Sequence, residues 1–535
     1  DRISAKSAYE AALEQDPEHL PALINLATLA RSAGELQESR ILYDRAIATG
    51  SQSADLYYGR GCLFEIEDNL KDALQDYQKA LSFNPEHSGA LGRSLHLNQL
   101  LCRWHELPSL TRRVEHALFS LEATSQGSEI PPHPLIATTA DNHLISLANE
   151  LYARGRFSKT QLPEKQESRA RTSDKGRIGY LSSDFFEHAT MRLFREALLS
   201  HDLNAYEVHF ISYTEWTIDS SMEELRAKGA QFHDVSQLTD LAAAELIQSL
   251  DLDLLIDLKG FTRDNRLGIL NFRPCKKQAT FLGYPAPINS AAIDYVIADP
   301  VVLPHSDQRY FQEQIVHLPS CYQPNPRVSR EHLIESKESE RLKWGLPTDQ
   351  FVFASFNQQY KVTEEVADTW LTILTMVPNS VLWFYSTERE AFDNFSAKAT
   401  TFDIDPGRIL HAETCSYPEH MKRIRAADLC LDTFPCNGHT TTSDCLRNSK
   451  PVISLRGKTF AGRVSESLLN ALDLEELVVD SPLKYIQLAV RFTNDDNFAN
   501  AICQKLEADV LAKNGLFQPD RFIREFESLI STLTE

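Results

Sequence analysis

The stretch Cys436-Asn-Gly-His-Thr-Thr-Thr-Ser-Asp444 follows the apolar run Leu429-Cys-Leu-Asp-Thr-Phe434 and precedes a helical pattern. The run is typical of a buried parallel strand, so the sequence predicts a strand-to-helix turn. Gly438 lets backbone approach a ligand closely, and threonines at a helix start leave N–H groups and hydroxyls unpaired. Because the helix dipole favours negative charge there, the turn is a candidate diphosphate site; simple helix capping by Ser, Thr and Asn also accounts for the pattern.

Two residues of this turn add further chemistry. His439 supplies a ring donor or a positive charge at the predicted helix start. Asp444 lies one turn into the helix, where its carboxylate is able to accept a hydrogen bond from a sugar hydroxyl. These residues make the turn a candidate site for a diphosphate that is joined to a sugar, with helix capping as the alternative.

The length of 535 residues predicts roughly three to four domains, and 42% hydrophobic with 24% charged residues is typical of a soluble globular protein. The net charge of −21 argues against a general nucleic-acid surface, which needs clustered Lys and Arg. Nine scattered cysteines without a Cys-x-x-Cys pair favour reduced thiols over disulfides or a zinc site. With no apolar run of about 18 residues and no signal peptide at Asp1-Arg-Ile-Ser, we expect a cytoplasmic protein without a membrane segment.

The first hundred residues repeat with a period of 34, as the tyrosines at 9, 43 and 77 and the alanines at 12, 46 and 80 indicate. This period is typical of tetratricopeptide repeats, whose helix pairs bury their apolar faces only by stacking. We predict an α-solenoid of such repeats over residues 1–105, then a helical linker or cap over 106–176 that ends in the polar linker 160–176. A solenoid of this kind binds protein segments in its groove, or serves as a spacer or dimerisation arm.

From residue 177 onward, apolar runs alternate with helical patterns, which predicts parallel sheets covered by helices. Two series of runs indicate two Rossmann-like lobes in tandem, at 177–330 and at 331–535 with a final helix. In such folds a ligand binds outside the carboxyl ends of the strands, here between the lobes. The predicted strands are 178–181, 208–213, 252–258, 279–284, 295–298 and 315–318, then 351–356, 381–385, 409–412, 429–434, 451–455 and 477–479.

Chemically suggestive residues follow several of these runs. His188 comes shortly after the first run, and Lys361 after the run at 351–356. His420 and Arg423 follow the run at 409–412 and share one helix face, where they are able to stack on and hydrogen-bond a base. Two other patterns we interpret as structural: Gly457-Lys-Thr459 lacks the first glycine of a P-loop, and Asp251-Leu-Asp253 opens a strand.

At this point the chain resembles the O-linked N-acetylglucosamine transferases of glycosyltransferase family 41, which join tetratricopeptide repeats to a catalytic domain of the GT-B fold. The resemblance covers nearly the whole chain and is closest to bacterial members. It rests on Gly179-Tyr-Leu-Ser-Ser-Asp184, His188, Phe272-Arg-Pro274, Leu282-Gly-Tyr-Pro285, Asp294-Tyr295, Phe356-Asn-Gln-Gln-Tyr-Lys361, Cys430-Leu-Asp-Thr433, Cys436-Asn-Gly-His-Thr-Thr441 with Asp444, and Arg463-Val464.

The resemblance implies a role for each candidate residue. Lys361, His188 and His439 are implied as catalytic residues, with His188 matching a proposed general base. The implied substrate contacts are Gln358, Thr440 and Thr441 for the diphosphate, His420 and Arg423 for uracil, Asp444 for ribose, and Leu282, Gly283 and Cys436 around the sugar, with Arg273, Tyr360 and Cys415 also expected at the substrate. The family implies an inverting reaction that needs neither a metal nor another cofactor.

Two positions depart from the family pattern. The sequence reads Gly283-Tyr-Pro-Ala286-Pro-Ile-Asn289 where many members have Gly-Tyr-Pro-Gly-Thr, and Tyr417 stands where a lysine often touches ribose. The first departure leaves the acceptor or sugar edge of the site open. Plant relatives that use GDP-fucose lack the Asn-Gly-His of the turn at 437–439, so the sequence favours a UDP-sugar.

The expected function is therefore transfer of GlcNAc from UDP-GlcNAc to Ser/Thr hydroxyls of protein acceptors. Two alternatives stay open within the same fold, namely another donor such as UDP-glucose or GDP-fucose, or an asparagine acceptor. A repeat scaffold without catalytic activity is a third. The expected partners are UDP-GlcNAc and acceptor peptides in the repeat groove, without nucleic acid or membrane; a homodimer through the repeats is compatible with the sequence.

Overall fold

The computed structural model describes residues 2–157, 175–214, 220–328 and 336–534. They form two compact units, one up to Pro134 and one from Leu135 onward. The division between the units falls inside the segment 106–176 for which the sequence predicts a helical linker. The polar linker predicted at 160–176 lies outside the described residues except for its last two positions.

The first unit consists of helices, each packed on the next in the chain. The rings of Tyr43 and Tyr77, both fully buried, need glycine on the facing helix. A Cβ atom on Gly59 would lie 2.5 Å from the Tyr43 hydroxyl, and one on Gly61 would lie 2.6 Å from the Tyr77 ring. The repeated tyrosines therefore fix the spacing between helices. The helices are α1 (Arg2–Gln15), α2 (Leu20–Ser32), α3 (Leu36–Ala48), α4 (Ala54–Ile66), α5 (Leu70–Phe83), α6 (Ser88–Leu100) and α7 (Leu107–Ala123).

Two helices lead into the sheets, α8 (His133–Thr138) and α9 (Asn142–Arg156). Ile145 and Tyr152 of α9 share one apolar cluster with strand residues of the first sheet. Asn149 also accepts a hydrogen bond of 2.7 Å from the Tyr284 hydroxyl. Helix α9 is therefore part of the first α/β lobe.

In the described residues, the first lobe contains a parallel sheet of seven strands in the order β3-β2-β1-β4-β5-β6-β7. The sequence predicts six of these strands and misses β3, since its residues Gln231-Phe-His-Asp234 are mostly polar and not fully buried. The strands are β1 (Gly176–Ser182), β2 (Tyr206–Ser212), β3 (Gln231–Asp234), β4 (Leu254–Asp257), β5 (Gln278–Phe281), β6 (Tyr295–Ala298) and β7 (Gln314–His317), with helices α10 (Ala189–Leu198), α11 (Ser220–Ala227), α12 (Asp240–Ser249) and α13 (Gly268–Asn271).

The second lobe contains six parallel strands, counted in the described ranges, in the order β10-β9-β8-β11-β12-β13. All six coincide with predicted apolar runs, because strands buried on both faces carry continuous apolar sequence. They are β8 (Phe351–Ser355), β9 (Ser380–Tyr385), β10 (Ile409–Ala412), β11 (Leu429–Leu431), β12 (Val452–Leu455) and β13 (Val478–Val479). The helices are α14 (Lys337–Lys343), α15 (Glu364–Met376), α16 (Arg389–Thr400), α17 (Tyr417–Arg423), α18 (Thr440–Arg447), α19 (Val464–Asn470), α20 (Pro482–Asn494), α21 (Asp496–Lys505) and α22 (Ala508–Leu511).

The final helix, α23 (Pro519–Thr534), follows the second lobe in sequence but packs on the first. The ring of Phe526 lies 5.0 Å from that of Phe281 and 5.8 Å from that of Phe194, measured between centroids. Aromatic pairs at such separations stabilise a core beyond the area they bury. The chain therefore crosses back to complete the lobe with which the α/β region begins.

Polar contacts fix the two lobes relative to each other. Ser467 of α19 donates to Asp299 at 2.7 Å, and the Arg463 guanidinium pairs with Asp307 at 2.7 Å. Ser443 of α18 donates to Asn325 at 2.5 Å. Because these side chains are largely buried, the bonds hold the carboxyl ends of both sheets in a defined relation.

Candidate functional site

The turn between β11 and α18 is organised by one buried carboxylate, Asp432. It accepts hydrogen bonds from the backbone N–H of Gly438 at 2.6 Å and of Thr433 at 2.9 Å, and from the Ser454 hydroxyl at 2.7 Å. Burial raises the pKa of Asp432, and the Ser454 hydroxyl and the Gly438 N–H oppose the rise. The network fixes the turn that the sequence identifies.

Gly438 is required by the close packing inside the turn. A Cβ atom at this position would lie 2.5 Å from the Thr442 hydroxyl, 2.7 Å from the Asn357 side-chain oxygen and 3.1 Å from Asp432. None of these groups is the end of a long flexible side chain. Close packing of the turn therefore requires the glycine, and the ligand approach that the sequence predicts there stays a prediction.

Helix α18 begins at Thr440, directly after the turn. Its N-cap residue, His439, makes no side-chain hydrogen bond to the first turn, and its Nε2 lies 3.3 Å from the Ala461 carbonyl oxygen. Thr440 and Thr441 are partly exposed, whereas Thr442 is buried against the Ser465 hydroxyl at 2.8 Å. The first two threonines thus present backbone N–H groups and hydroxyls at a helix N-terminus, the arrangement that binds anions.

Lys361 brings a cation to the same place. Its ammonium donates to the carbonyl oxygen of Asn437 at 2.7 Å, next to Gly438. Burial lowers the pKa of Lys361, but Cys436, Tyr360 and Asp432 nearby raise it more, so that the net shift is upward. Lys361 is therefore charged at neutral pH and lies against the turn that leads into α18, as the predicted diphosphate site requires.

The neighbours of Lys361 in sequence differ in environment. Gln358 is exposed, and its carbonyl oxygen accepts from the Lys361 N–H at 3.0 Å. Tyr360 packs against an apolar cluster that contains both Cys436 and residues of the first lobe. The loop after β8 therefore contributes one polar side chain to solvent and one ring to the junction of the lobes.

His420 and Arg423 form one unit on α17. The Arg423 Nε donates to His420 Nδ1 at 3.1 Å, so the neutral imidazole carries its proton on Nε2. Burial, followed by the charges of Arg423 and Arg192, lowers the pKa of His420 to about 3. A neutral ring with a fixed N–H donor suits recognition of a nucleobase carbonyl.

The guanidinium of Arg423 is enclosed by aromatic rings. Its Cζ lies 5.0 Å from the centroid of Phe356 and 5.5 Å from that of Tyr385, with Trp344 and Trp383 within 6 Å. It also donates to the Glu413 carbonyl oxygen. Arg423 therefore orients His420 from a buried position, a role that its position in sequence does not indicate.

Asp444 is buried and already has a partner. Its Oδ1 accepts from the Tyr417 hydroxyl at 2.8 Å, and Arg447 donates to the same hydroxyl at 2.9 Å. Burial raises the pKa of Asp444, opposed by Arg447 and Tyr417. Tyr417, which departs from the family pattern, thus donates a hydrogen bond to Asp444, the residue that is predicted to bind ribose.

In the first lobe, His188 belongs to a chain of charged groups at the ends of β1 and β4. His188 Nδ1 accepts a hydrogen bond from the Thr190 N–H at 3.3 Å and lies 3.3 Å from Asp184 Oδ2. The buried Lys259 ammonium donates to Asp184 Oδ1 at 2.9 Å. Burial lowers the pKa of His188, Asp184 raises it, and Lys259 and Arg192 lower it, for a net downward shift. A half-exposed imidazole with a lowered pKa is unprotonated at neutral pH and able to accept a proton.

Leu282 and Gly283 follow β5, beside the loop that carries Lys259. A Cβ atom on Gly283 would lie 1.9 Å from the Leu258 carbonyl oxygen, and Leu282 has a left-handed φ of 66°. Left-handed leucine is strained by about 1–2 kcal/mol, so the surroundings must impose this backbone. The loops after β1, β4 and β5 therefore form one rigid edge of the cleft.

The remaining two candidates have other contacts. Arg273 donates to Asp294 at 3.1 Å and to backbone carbonyls, including that of Lys276 at 2.9 Å. These contacts give Arg273 a structural role in its loop. Burial raises the pKa of Cys415, which lies close enough to Arg423 for the guanidinium charge to oppose that rise. Binding roles for both residues stay predictions.

Lys259 was not among the candidates predicted from the sequence, although its position after a predicted strand could have identified it. It directly follows the buried run Leu254-Leu-Ile-Asp-Leu258, so the strand-end rule applied to the other candidates also selects it. The two patterns set aside as structural are engaged locally: Thr459 accepts from the Gly462 N–H at 3.2 Å, and Asp253 accepts from the Arg177 N–H at 2.8 Å.

Within the described ranges, no group of three or more His, Cys, Asp or Glu side chains is arranged to hold a metal ion. Across the same ranges, none of the helices has the length and apolarity that crossing a membrane requires.

Helical repeats followed by two parallel α/β lobes, with the polar loops of both sheets at one cleft, define a protein of the GT-B class. The chain belongs to glycosyltransferase family 41: the profile of the family described as "Glycosyl transferase family 41" matches residues 156–337 and 323–526. A tetratricopeptide repeat profile matches residues 54–87, within the predicted solenoid. The resemblance and the fold class that the sequence indicates are thereby confirmed.

Similar proteins carry related descriptions. A probable UDP-N-acetylglucosamine–peptide N-acetylglucosaminyltransferase of Arabidopsis thaliana is 30% identical over 81% of this chain and 45% of its own length. The corresponding enzyme of Caenorhabditis elegans is 24% identical over 81% of this chain and 48% of its own. The chain thus spans about half the length of these relatives. A solved structure of an O-GlcNAc transferase from Thermobaculum terrenum shares the fold, with a TM-score of 0.71 at 22% identity over 100% of this chain and 94% of its own.

Proposed function

We propose that this chain transfers GlcNAc from UDP-GlcNAc to Ser or Thr hydroxyls of protein acceptors, with inversion at the anomeric carbon and without a metal ion. The observation that carries the proposal is the position of Lys361, whose ammonium lies 2.7 Å from the carbonyl of Asn437 beside the N-terminus of α18. A fixed cation next to a helix N-terminus stabilises the charge that grows on a departing diphosphate. The names of the relatives support the choice of donor and acceptor.

In this mechanism the acceptor oxygen attacks the anomeric carbon on the face opposite the UDP. The bond from that carbon to the phosphate oxygen breaks, and its electron pair leaves with UDP, next to Lys361 and the N–H groups of Thr440 and Thr441. His188 takes the hydroxyl proton, and Asp184 orients and stabilises the resulting imidazolium. His420 donates from Nε2 to a base carbonyl, and Asp444 accepts from ribose.

The same proposal assigns partners and location. The repeat unit binds extended segments of acceptor proteins, which fits the concave grooves that such repeats form. All nine cysteines lie in the described residues and none is in a disulfide. Reduced thiols fit a cytoplasmic enzyme.

Mass spectrometry of acceptors co-expressed with this chain tests the proposal, because it reports the sugar mass and the linked residue together. We expect a HexNAc on Ser or Thr, absent with Lys361→Met and present with the exposed control Lys513→Met. A hexose or deoxyhexose on the acceptor would instead indicate a different donor sugar. Modification of asparagine would indicate a different acceptor.

The metal independence is tested separately with a chelator. Purified enzyme should keep its activity in excess EDTA. A loss of activity that added Mg²⁺ restores would contradict the metal-independent mechanism.

A further inference from the structure

One cation reaches across the cleft from the first lobe to the second. Arg192 lies on α10, one turn after His188, and its guanidinium carbon is 3.9 Å from the ring centroid of Tyr417 at the start of α17. This is a short cation–π distance, well inside the range of about 6 Å within which such pairs attract. The contact joins α10, which is capped by the proposed base His188, to the helix that carries His420.

Both partners of this contact are held in place by other groups. Arg192 Nε pairs with Glu187 at 2.7 Å, which fixes the guanidinium above the ring. The Tyr417 hydroxyl is held between Asp444 at 2.8 Å and Arg447 at 2.9 Å. The ring is therefore a preorganised surface, attached by its hydroxyl to the residue proposed to bind ribose.

The charge of Arg192 also acts on several groups of the proposed site. It lowers the pKa of His188 and of His420, in each case after larger effects that begin with burial. It also opposes the upward shift that burial causes in the pKa of Asp444. The charge of one side chain thus affects the pKa values of three residues of the proposed site, namely His188, His420 and Asp444.

We propose that the Arg192–Tyr417 contact closes the nucleoside end of the donor site and positions His188 through α10. This inference rests on the proposed function and goes beyond it, since it makes a residue of the first lobe part of donor binding. The contact holds the Tyr417 ring, and through its hydroxyl Asp444, in the arrangement that is proposed to bind the nucleoside. Without the contact this arrangement is only partly populated, and the apparent Kd for UDP rises in inverse proportion to the populated fraction.

Calorimetric titration of UDP into the full chain tests this proposal. Arg192→Met keeps the length of the side chain and removes its charge, and we expect the Kd for UDP to rise about 2- to 30-fold, the range of a cation–π pair. Tyr417→Phe keeps the ring, so Arg192→Met should have the same effect in that background. In a Tyr417→Leu background, Arg192→Met should have a clearly smaller effect on the Kd, because only the charge effects of Arg192 on His420 and Asp444 then remain to be lost.

A pH profile of kcat/KM supplies a readout that a merely structural role would not change. The groups that face His188 are Asp184, Lys259 and Arg192. Removing the Arg192 charge raises the pKa of His188, so the acidic limb should move to higher pH. Arg195→Met, on the exposed side of the same helix beside Glu224, is the matched control and should change neither the Kd nor the limb.

An unchanged Kd for UDP in Arg192→Met would overturn the inference, as would an equal effect of that substitution in the Tyr417→Leu background. A movement of the acidic limb to lower pH would also contradict it. The proposed function fails separately: if the wild-type chain transfers no GlcNAc yet binds UDP in an Arg192-dependent way, the contact stands and the assigned reaction does not.

Discussion

The two sides of the cleft are built by different means. On the proposed diphosphate side, the turn before α18 is held by backbone hydrogen bonds to the buried carboxylate of Asp432, and Lys361 adds a positive charge. On the acceptor side, the key groups are side chains: Lys259, Asp184 and the half-exposed His188. One side positions main-chain dipoles, and the other side positions a proton acceptor.

This difference has a chemical reason. Charge that develops on a leaving diphosphate is best stabilised by dipoles that are already fixed, because nothing then has to reorganise during the reaction. A general base must change its protonation state, so it needs solvent access and a tunable pKa. We therefore expect substitutions on the diphosphate side to abolish catalysis, and those on the acceptor side to shift its pH dependence.

Lys361→Met is expected to have the largest effect. Removing the cation beside the diphosphate should lower kcat about 10³-fold, the upper range for loss of one transition-state donor. Because methionine fills a similar volume, the melting temperature should change little. Full activity in this variant would break the distinction between the two sides.

Gly438→Ala should follow, with about a 10²-fold loss of UDP affinity and activity. Its Cβ would lie 2.5 Å from the Thr442 hydroxyl, so the turn must shift. Overpacking of this kind costs about 1–3 kcal/mol of stability. Gly407→Ala, at an exposed glycine, is the control and should match the wild type in UDP titration and thermal unfolding.

Substitutions beside His188 should move the acidic limb of the kcat/KM profile in opposite directions. Asp184 raises the pKa of His188, so Asp184→Asn moves the limb to lower pH; Lys259 lowers that pKa, so Lys259→Met moves it to higher pH. Asp184→Asn should also lower kcat about 10-fold or more, because it no longer stabilises the imidazolium. Limbs that move together would show that His188 is not the titrating group.

Glu313→Gln should change stability without changing catalysis. Burial raises the pKa of Glu313 to about 7, and its carboxylate accepts from the N–H groups of Ile288 and Asn289. The native state therefore binds this proton more tightly than the unfolded state, so the contribution of Glu313 to wild-type stability is lost as the pH rises from about 4.5 to 7. Urea unfolding at pH 8 should find the variant more stable by about 1–3 kcal/mol, with the difference vanishing near pH 4.

The sequence predicts the fold where burial dictates composition. Strands such as β8, up to its last residue, and β11 are apolar, because helices cover both faces of the sheet. Strand β3 is only partly buried, and its sequence contains no apolar run that would predict a strand. The packing of α23 on the first lobe is also not predicted, because the sequence shows that the helix has an apolar face but not which lobe that face contacts.

The site divides in the same way. The turn at 436–444 is contiguous in sequence, so its candidate role in binding a diphosphate can be predicted from these residues alone. Lys259 and Asp184 are 75 positions apart and meet only because β1 pairs with β4 in the sheet. The Tyr417–Asp444 bond depends on how α17 packs beside α18, which no local pattern encodes.

A crystal structure of the chain with UDP would show whether the turn before α18 holds the diphosphate. We expect phosphate oxygens within about 3.2 Å of the Lys361 ammonium and of the N–H groups of Thr440 and Thr441, with the base against His420. UDP bound elsewhere, or phosphates that do not contact Lys361 and the start of α18, would contradict it.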